Sequence, residues 1–397
     1  MKSIFNYFHP LVWIILSGTI FARTASFMAI PFLALYLHNQ LQASPLLIGL
    51  TVGIAPLFAT FGGLIGGYLT DRFDRKNVII CTVFVWSLTF FGFAFAPSAL
   101  YFVLLNALNG LCRSFFEPGT QALMIDFTED AKKRRLFSVR YTAINIAAVM
   151  GPLLGVWISN MSSAAMPFMI TGIMYAIYGV FLIIVLNRYE MKQQKLAADH
   201  RIGTIFSAVR KDQKLLYFIA GGILITFGYA QFDSTLPQLI DMRVEDGIKL
   251  FSYVIVANSI TVLTLQLPLT IMIEKMAIYT SLKIGIVIFS AGLLLLGLSE
   301  NTWMFIGSMM IFSIGEIFCF PMMNAVIEEI APIDQKGIYL GAGQLKNIGG
   351  FIGPIVGGWL LIVTVDWMYV IISIVMLSSI FVYRKALHVQ KTAQLHP

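Results

Sequence analysis

Charged residues are scarce in this sequence, because Asp, Glu, Lys and Arg make up only 12% of its 397 residues. Soluble domains carry about twice that fraction, so the composition excludes an ordinary soluble protein. Cysteine is scarcer still, and its three residues have no paired spacing. We therefore predict no disulfide or metal framework, and we expect Cys81, Cys112 and Cys319 to be core residues. No Walker pattern, nucleophile elbow or metal-ligand spacing occurs, so an ATP-driven pump or an enzyme is not expected.

What the chain has in abundance is apolar length, since hydrophobic residues make up 58% of it. Runs of roughly 20 such residues recur, and each is long enough to cross a bilayer core of about 30 Å. They are too long for the strands of a membrane barrel and lack strict alternation, so they are predicted to be helices. The sequence thus predicts an all-α polytopic protein in the lipid bilayer. The twelve runs are 11–37, 45–70, 77–96, 98–124, 137–160, 164–188, 214–240, 250–273, 278–299, 301–327, 338–364 and 366–386.

Lys and Arg are divided unevenly between the two sets of loops. Only Arg243 and Lys249 fall in odd-numbered loops, whereas the loop segment AKKRRLF alone carries four basic residues. Cytoplasmic loops carry the excess of Lys and Arg, so both termini are predicted to be cytoplasmic, in a multi-pass protein of the cell (inner) membrane. The net charge of +7 reflects this asymmetry, and nucleic-acid binding is not expected.

The chain contains an internal repeat. PGTQALMID matches PMMNAVIEE at an offset of 203, and NIAAVMGPLLG matches NIGGFIGPIVG at an offset of 202. Two six-helix repeats are typical of secondary transporters, which place their substrate site near the membrane midplane between the repeats. The predicted parts are an N-terminal half (1–188), a polar cytoplasmic linker (189–213) and a C-terminal half (214–397).

One loop, GYLTDRFDRK, gathers five charged residues between two apolar runs. Asp71 lies one turn after Gly67, where a neighbouring helix can approach closely. We predict that Asp71 forms a conformational latch that is made and broken, with Arg72, Arg75 and Lys76 anchoring the loop at the cytoplasmic side. The alternative is a plain positive-inside loop, which would need basic residues alone.

The same loop resembles the signature G-x-x-x-D-R-x-G-R-[RK] of the major facilitator superfamily, with Asp74 in place of its second glycine. GPLLG, from Gly151 through Pro152 to Gly155, resembles the antiporter signature of the drug:proton branch, although that branch's usual span-four arginine is Asn106 here. The resemblance covers essentially the whole chain. It implies twelve transmembrane helices in two pseudo-symmetric six-helix halves, driven by a proton gradient. We expect no cofactor, and we expect a monomer.

Two further segments, QFDSTLP and IGEIFCFP, resemble parts of LmrP-type and MdtH-type multidrug exporters. This likeness implies that Asp233 and Glu316 correspond to acids used for proton coupling and cation binding. It also implies that Asp126 corresponds to an acid that ends the fourth span and belongs with the latch.

The residues themselves point to the same two acids. Ionisable groups within a span cost about 2.5–3.5 kcal/mol on insertion scales and are functional by default. An acid that alternates between an apolar and a cation-lined environment takes up a proton on one side and releases it on the other. Pro237 is expected to loosen the helix beside Asp233. The alternative for Asp233 and Glu316 is a structural ion pair, with Lys346 or Arg23.

Arg113 and Glu117 lie four residues apart in the fourth span and can pair on one helix face. The repeat makes Arg113 the counterpart of Glu316, so opposite charges occupy equivalent places. Glu117 would neutralise Arg113, which favours cationic over anionic substrates, although a self-contained structural pair is the alternative. Phe312, Phe318 and Phe320 are candidates for an adaptable apolar pocket, or for ordinary helix packing.

These patterns together predict a proton-coupled exporter of lipophilic, often cationic small molecules that works by alternating access. Two alternatives stay open at this stage. One is an importer or exporter of a specific metabolite on the same fold, and the other is a non-transporting membrane receptor.

Overall fold

The structure is a computed structural model that describes residues 7–72, 75–129, 132–189, 210, 212–273, 275–331 and 336–395. Within these ranges the chain forms twelve helices, three of them interrupted. The helices are α1a (Pro10–Ala29) and α1b (Leu33–Asn39), α2 (Pro45–Arg72), α3 (Arg75–Phe95), α4 (Ala99–Asp126), α5 (Lys133–Met161), α6 (Met166–Leu186), α7a (Gln213–Tyr229) and α7b (Thr235–Arg243), α8 (Gly247–Ile273), α9 (Ile278–Leu298), α10 (Thr302–Ile330), α11a (Lys336–Gly343) and α11b (Ile348–Val363), and α12 (Val365–Leu395).

The seventh helix differs from its prediction. Eleven helices in the described ranges are long and apolar enough to cross a membrane, whereas α7a has only 17 residues. The sequence predicted one helix over 214–240, but the structure breaks it between Tyr229 and Thr235. Pro237 has no N–H to donate to the preceding turn, so the regular hydrogen-bond ladder cannot continue there. The carbonyl of Gln231 instead accepts from the amides of Thr235 and Leu236. This break contains Asp233.

The eleventh helix is also interrupted, which the apolar run 338–364 did not predict. A 3-10 turn over Gln344–Asn347 separates α11a from α11b. In contrast, α10 continues through Pro321 without an interruption, so the segment around Glu316 is regular helix.

Helices α1 to α6 (the N-half) and α7 to α12 (the C-half) pack alike. In the N-half, α1a contacts α5 and α6, α2 contacts α4, and α3 contacts α4 and α6. Each of these contacts recurs in the C-half between the helices six positions later. Each half buries its own hydrophobic core, around Phe90 and Tyr175 in one and around Phe289 and Phe312 in the other. Apart from Leu35, which belongs to the C-half core, each core is built within one half and can stay packed when the halves move.

Short connections make consecutive helices antiparallel. The start of α1a, the end of α12 and the helix ends that flank the even-numbered connections lie at one end of the bundle (the even-loop end), and the helix ends that flank the odd-numbered connections lie at the other (the odd-loop end). At the odd-loop end α1b reaches the other half: Leu35 joins the C-half core, and the rings of Phe32 and Phe251 lie 6.2 Å apart. Asn39 Nδ2 also donates to Asp241 Oδ2 at 2.9 Å. These contacts join the halves at this end.

A second contact at the odd-loop end is built from glycines of α2 and α11b. A Cβ atom at Gly49 would lie 2.7 Å from the carbonyl carbon of Pro354, and one at Gly53 would lie 2.6 Å from the carbonyl oxygen of Phe351. On the facing helix, a Cβ at Gly358 would lie 2.8 Å from the carbonyl carbon of Pro45. Gly49 and Gly53 form a G-x-x-x-G pattern, which allows two helix backbones to approach closely.

The prediction that all three cysteines are core residues was wrong for one of them. Cys112 and Cys319 are buried, but Cys81 is exposed. Hydrophobicity separates core from surface poorly in a membrane helix, because lipid tails are as apolar as the interior. An apolar residue in a span can therefore face either way.

Candidate functional site

The membrane-embedded charges described in the N-half form one cluster centred on Glu117. Arg113 Nε, on the same helix, donates to Glu117 Oε1 at 2.9 Å, as the spacing of four residues predicts. Arg23 of α1a forms an ion pair with the same oxygen. Arg140 of α5 also interacts with Glu117 electrostatically. The Arg113–Glu117 pair is therefore not self-contained, since the same carboxylate also pairs with Arg23 and attracts Arg140.

Two acids of the C-half face the space between the halves. Asp233 has an exposed side chain although protein surrounds it, so it lies on the wall of an internal space. Glu316 lies at the middle of α10, and its Oε2 accepts from Asn258 Nδ2 of α8 at 2.9 Å. Asn258 Nδ2 also donates to Ser313 Oγ at 2.9 Å. The hydroxyl of Tyr229 faces the Glu316 carboxylate as well.

Neither acid forms the structural ion pair that was the alternative for it. Among the described residues, Asp233 and Glu316 have no basic nitrogen within the 4.0 Å limit of an ion pair. Arg23 is held by Glu117. Lys346 is buried in the turn between α11a and α11b, with its Cβ close to Gly222 of α7a. The two acids are thus placed between the halves without a fixed counter-charge in the described structure.

The structure brings the four predicted site residues into one region. Arg113 of the N-half and Asp233 of the C-half interact electrostatically, as do Asp233 and Glu316, and Glu117 lies one turn from Arg113. Tyr229 interacts with Arg113, Asp233 and Glu316. The region therefore spans both halves, with the basic residues on one side and the two acids on the other.

Sequence reasoning missed two polar members of this region. Tyr229 has a weak signal, because only its place at the end of α7a, next to the break, distinguishes it from the other tyrosines. Asn258 carries a better signal, because a lone amide in the middle of an apolar run needs hydrogen-bond partners. Neither signal says which helix supplies the partner.

The predicted latch lies mostly outside the part of the structure that is described in side-chain detail. Helix α2 ends at Arg72 and α3 begins at Arg75. The side chains of Asp71, Arg72 and Arg75 are not among the described ones, and Gly67 belongs to the same stretch. The position of Asp74 is not described at all. Two residues of the prediction are visible: Lys76 Nζ donates to Asn187 Oδ1 beyond the end of α6, and Asp126 is the last residue of α4. The latch stays a prediction.

The GPLLG segment packs α5 against α1. A Cβ atom at Gly151 would lie 2.9 Å from the carbonyl oxygen of Thr24, and one at Gly155 would lie 3.0 Å from the ring of Phe32. Pro152 is accommodated within a continuous α5. In the C-half, the equivalent Gly353 brings α11b equally close to α7a. The motif therefore sets the distance between the first and fifth helices of each half.

Asn106 stands where the resemblance leads one to expect an arginine, and it forms an uncharged network. Its Nδ2 donates to the carbonyl of Thr51 at 2.6 Å, and its Oδ1 accepts from Asn109 Nδ2 at 2.9 Å. Asn109 Oδ1 in turn accepts from Trp86 Nε1 at 2.6 Å. This network ties α2, α3 and α4 together, and the positive charge of α4 lies two turns further on, at Arg113.

Two pseudo-symmetric six-helix halves that meet around membrane-embedded charges define the class of secondary transporters. The model of the Major Facilitator Superfamily matches residues 15–345 and 245–395, and the chain belongs to this family.

The relatives of this chain have names that differ in the activity they state. YqjV of Bacillus subtilis (strain 168), an MFS-type transporter, is 35% identical over 353 residues, which cover 88% of this chain and 86% of that protein. A Na(+), Li(+), K(+)/H(+) antiporter of Planococcus maritimus is 26% identical over 413 residues, covering 94% and 95%. The multidrug resistance protein MdtH of Blochmanniella floridana is 22% identical over 356 residues, covering 88% and 86%.

A solved structure shares the fold. The POT family transporter PepTSo superposes with a TM-score of 0.80 over 97% of this chain and 98% of its own, at 15% sequence identity. This likeness concerns the arrangement of the helices and not the cargo.

Proposed function

We propose that the protein is a proton-coupled exporter of lipophilic, often cationic compounds, of the drug:proton antiporter branch of its family. The observation that carries this proposal is the placement of Asp233 and Glu316 between the halves without a basic partner in the described structure. Acids in a membrane span are costly and functional by default. The GPLLG segment and the likeness to the MdtH protein support the branch.

Proton coupling follows from the division of charges between the halves. Arg113 belongs to the N-half, and Asp233 and Glu316 belong to the C-half, so rocking of the halves changes the distance between them. A guanidinium that approaches a carboxylate stabilises its charged form, and one that withdraws leaves the acid free to take up a proton. Other titratable groups that interact with the two acids, among the described residues, include Tyr229, Tyr141 and Cys319.

The attraction of a cationic group in the substrate rests on Glu316 and its aromatic neighbours. Of the three phenylalanines that the sequence singled out, Phe312 and Phe318 are buried in helix packing, and only Phe320 is partly exposed. The ring of Phe320 lies 5.0 Å from that of Tyr229, edge to face. A lipophilic cation beside Glu316 would gain about 0.5–2 kcal/mol from each aromatic face it contacts.

The expected orientation gives the side of the membrane from which protons would enter. The positive-inside asymmetry places the even-loop end in the cytoplasm. The contacts at the odd-loop end, including Asn39 with Asp241, then close the site toward the outside. In this conformation the acids are withheld from the external solution, and opening of that end would admit external protons.

A second candidate function is the exchange of alkali cations for protons. The carboxylate of Glu316 and the hydroxyl of Ser313, which both accept from Asn258 Nδ2, bring together oxygen atoms of the kind that hard cations bind. The Planococcus maritimus relative, which is named as such an antiporter, is similar over nearly its whole length.

One experiment separates these functions. Purified protein in proteoliposomes with a trapped pH dye is exposed to ethidium, to Na⁺ or K⁺, or to buffer alone. Proton movement driven by ethidium supports the drug exporter, and movement driven only by alkali cations supports the second candidate. In cells, a proton ionophore should stop ethidium efflux, so that ethidium accumulates. That result would support export. An importer would instead lose its cargo with the ionophore, and a receptor would show no movement at all.

The latch prediction concerns rate and not binding. Asp71→Asn is expected to leave membrane insertion and ethidium binding intact but to slow efflux, because the amide cannot form the charged contact between helix ends. The measurement is the initial efflux rate per molecule of protein in the membrane. Asp74→Asn is the matched control, since it removes the same charge from the same loop. A normal rate for Asp71→Asn would eliminate the latch.

A further inference from the structure

The site between the halves has walls of opposite charge. Its N-half wall carries the exposed Arg113, and Arg23 and Arg140 lie behind it, around the single carboxylate of Glu117. Its C-half wall carries Asp233 and Glu316. The sequence suggested that Glu117 neutralises Arg113, but the structure shows the same carboxylate oxygen bound by Arg23 as well. The single carboxylate therefore does not neutralise the arginines that surround it, and the cluster keeps a net positive charge.

Arg113 also keeps most of its hydrogen-bonding capacity. Only its Nε donates to Glu117, and 60% of its side chain is exposed. Its two terminal nitrogens have no acceptor in the part of the chain that is described. A guanidinium presents these nitrogens as a planar fork that matches the two oxygens of a carboxylate. Arg113 thus offers a free binding edge to a molecule in the site.

Asp233 is the matching group on the opposite wall. Its exposed carboxylate accepts no hydrogen bond from any described residue. Arg113 and Asp233 interact electrostatically, yet no ion pair within 4.0 Å joins them. Because Arg113 and Asp233 attract each other without contact, a bound molecule with two charged groups can lie between them.

We propose that this gap binds a lipophilic zwitterion, whose carboxylate pairs with the fork of Arg113 and whose ammonium group pairs with Asp233. Glu316 lies next to Asp233, and the edge-to-face rings of Tyr229 and Phe320 receive the apolar part. The inference rests on the proposed function, because it names the preferred substrate class of the same site.

The competing ligand classes satisfy only one wall. A lipophilic cation pairs with the acids but leaves the two terminal nitrogens of Arg113 without an acceptor. A lipophilic anion pairs with Arg113 but meets the two acids. An unpaired charge in a poorly solvated site is costly, so each single-charged ligand forfeits affinity that the zwitterion keeps.

The test uses three probes on one skeleton: naphthylalanine, its methyl ester, which is only a cation, and its N-acetyl derivative, which is only an anion. Dissociation constants are measured by titration calorimetry on the purified full chain. The wild-type protein is expected to bind naphthylalanine at least about tenfold more tightly than either derivative. Equal or tighter binding of the ester, or no binding of any of the three, would overturn the inference.

Two variants assign the charges to their walls. Arg113→Gln is expected to abolish the preference for naphthylalanine over its ester, and Asp233→Asn the preference over its N-acetyl derivative. Lys249→Gln, which removes an exposed cation near the odd-loop end, should keep both preferences. Arg113→Lys keeps the charge without the fork and should retain a reduced preference. If both preferences survive in both site variants, the assignment is wrong.

The outcome is separable from that of the proposed function. Ethidium-driven proton movement tests proton-coupled export without a zwitterion. The inference fails alone if ethidium drives protons while the ester binds as tightly as naphthylalanine. The proposed function fails alone if naphthylalanine binds preferentially but neither ligand moves protons.

Discussion

Asp233→Asn and Glu316→Gln are each expected to abolish proton-driven export while the protein still folds in the membrane. An amide has the shape of the acid but cannot take up or release a proton at neutral pH. Neither acid forms an ion pair in the described structure, so its neutralisation strands no bound base. In Glu316→Gln the new side-chain carbonyl can still accept from Asn258.

The measurement separates coupling from binding. In proteoliposomes, substrate-driven proton movement should fall by more than about tenfold in each variant, a loss equivalent to about 1.4 kcal/mol or more of transition-state stabilisation. Exchange of labelled for unlabelled ethidium without a pH gradient should persist, at a higher ethidium concentration in Glu316→Gln, because it needs no net proton transfer. Glu245→Gln, at an exposed acid after α7b, is the matched control. Unchanged proton coupling in both site variants would assign the coupling to other groups.

Gly49→Val is expected to stop transport by a different route, through a block of closure at the odd-loop end. A Cβ atom at this position would overlap the backbone of Pro354, and a backbone cannot rotate away as a side chain can. Valine adds two further methyl groups to the same gap. The contact between α2 and α11b would then stay open, although each half keeps its own core. Efflux should fall by at least about tenfold, since even a barrier of about 1.4 kcal/mol suffices for that.

Opening at that end can be measured directly. With Cys81→Ser as background, a cysteine introduced by Asn39→Cys should react faster with a membrane-impermeant maleimide in Gly49→Val than in the parent. Gly307→Val is the matched control, because a Cβ there meets nothing within 4 Å. Efflux at the parent rate in Gly49→Val would show that this glycine contact is not needed for the transport cycle.

The fold was largely predictable from the sequence because two of its signals are strong. A bilayer leaves few solutions for a run of some twenty apolar residues, so helices were predictable one by one. The repeat then predicted two six-helix halves, and these halves and the membership in the major facilitator superfamily are confirmed. The branch, the orientation and the roles of Asp233 and Glu316 stay predictions.

What the sequence could not supply is the partner of each group on another helix. Periodicity placed Arg113 and Glu117 on one face, and the structure confirms their contact. It could not reveal that Arg23, 94 residues earlier, shares the same carboxylate. The face of a soluble helix that turns inward is marked by its hydrophobicity, but a span that is apolar on all sides carries no such mark. The exposure of Cys81 and the break around Asp233 were missed for related reasons of context.

The contact between Asn39 and Asp241 bears on the origin of the two-half chain. The two residues are 202 positions apart, one fewer than the offset of 203 that relates this part of the two halves, so they lie at near-equivalent places and meet where the halves join. In a symmetric dimer of identical subunits, a position on the axis meets its own copy. An aspartate there would face an aspartate and be repelled. A single chain frees the two halves to differ, so Asn39 of one half can donate to Asp241 of the other in a contact that occurs once.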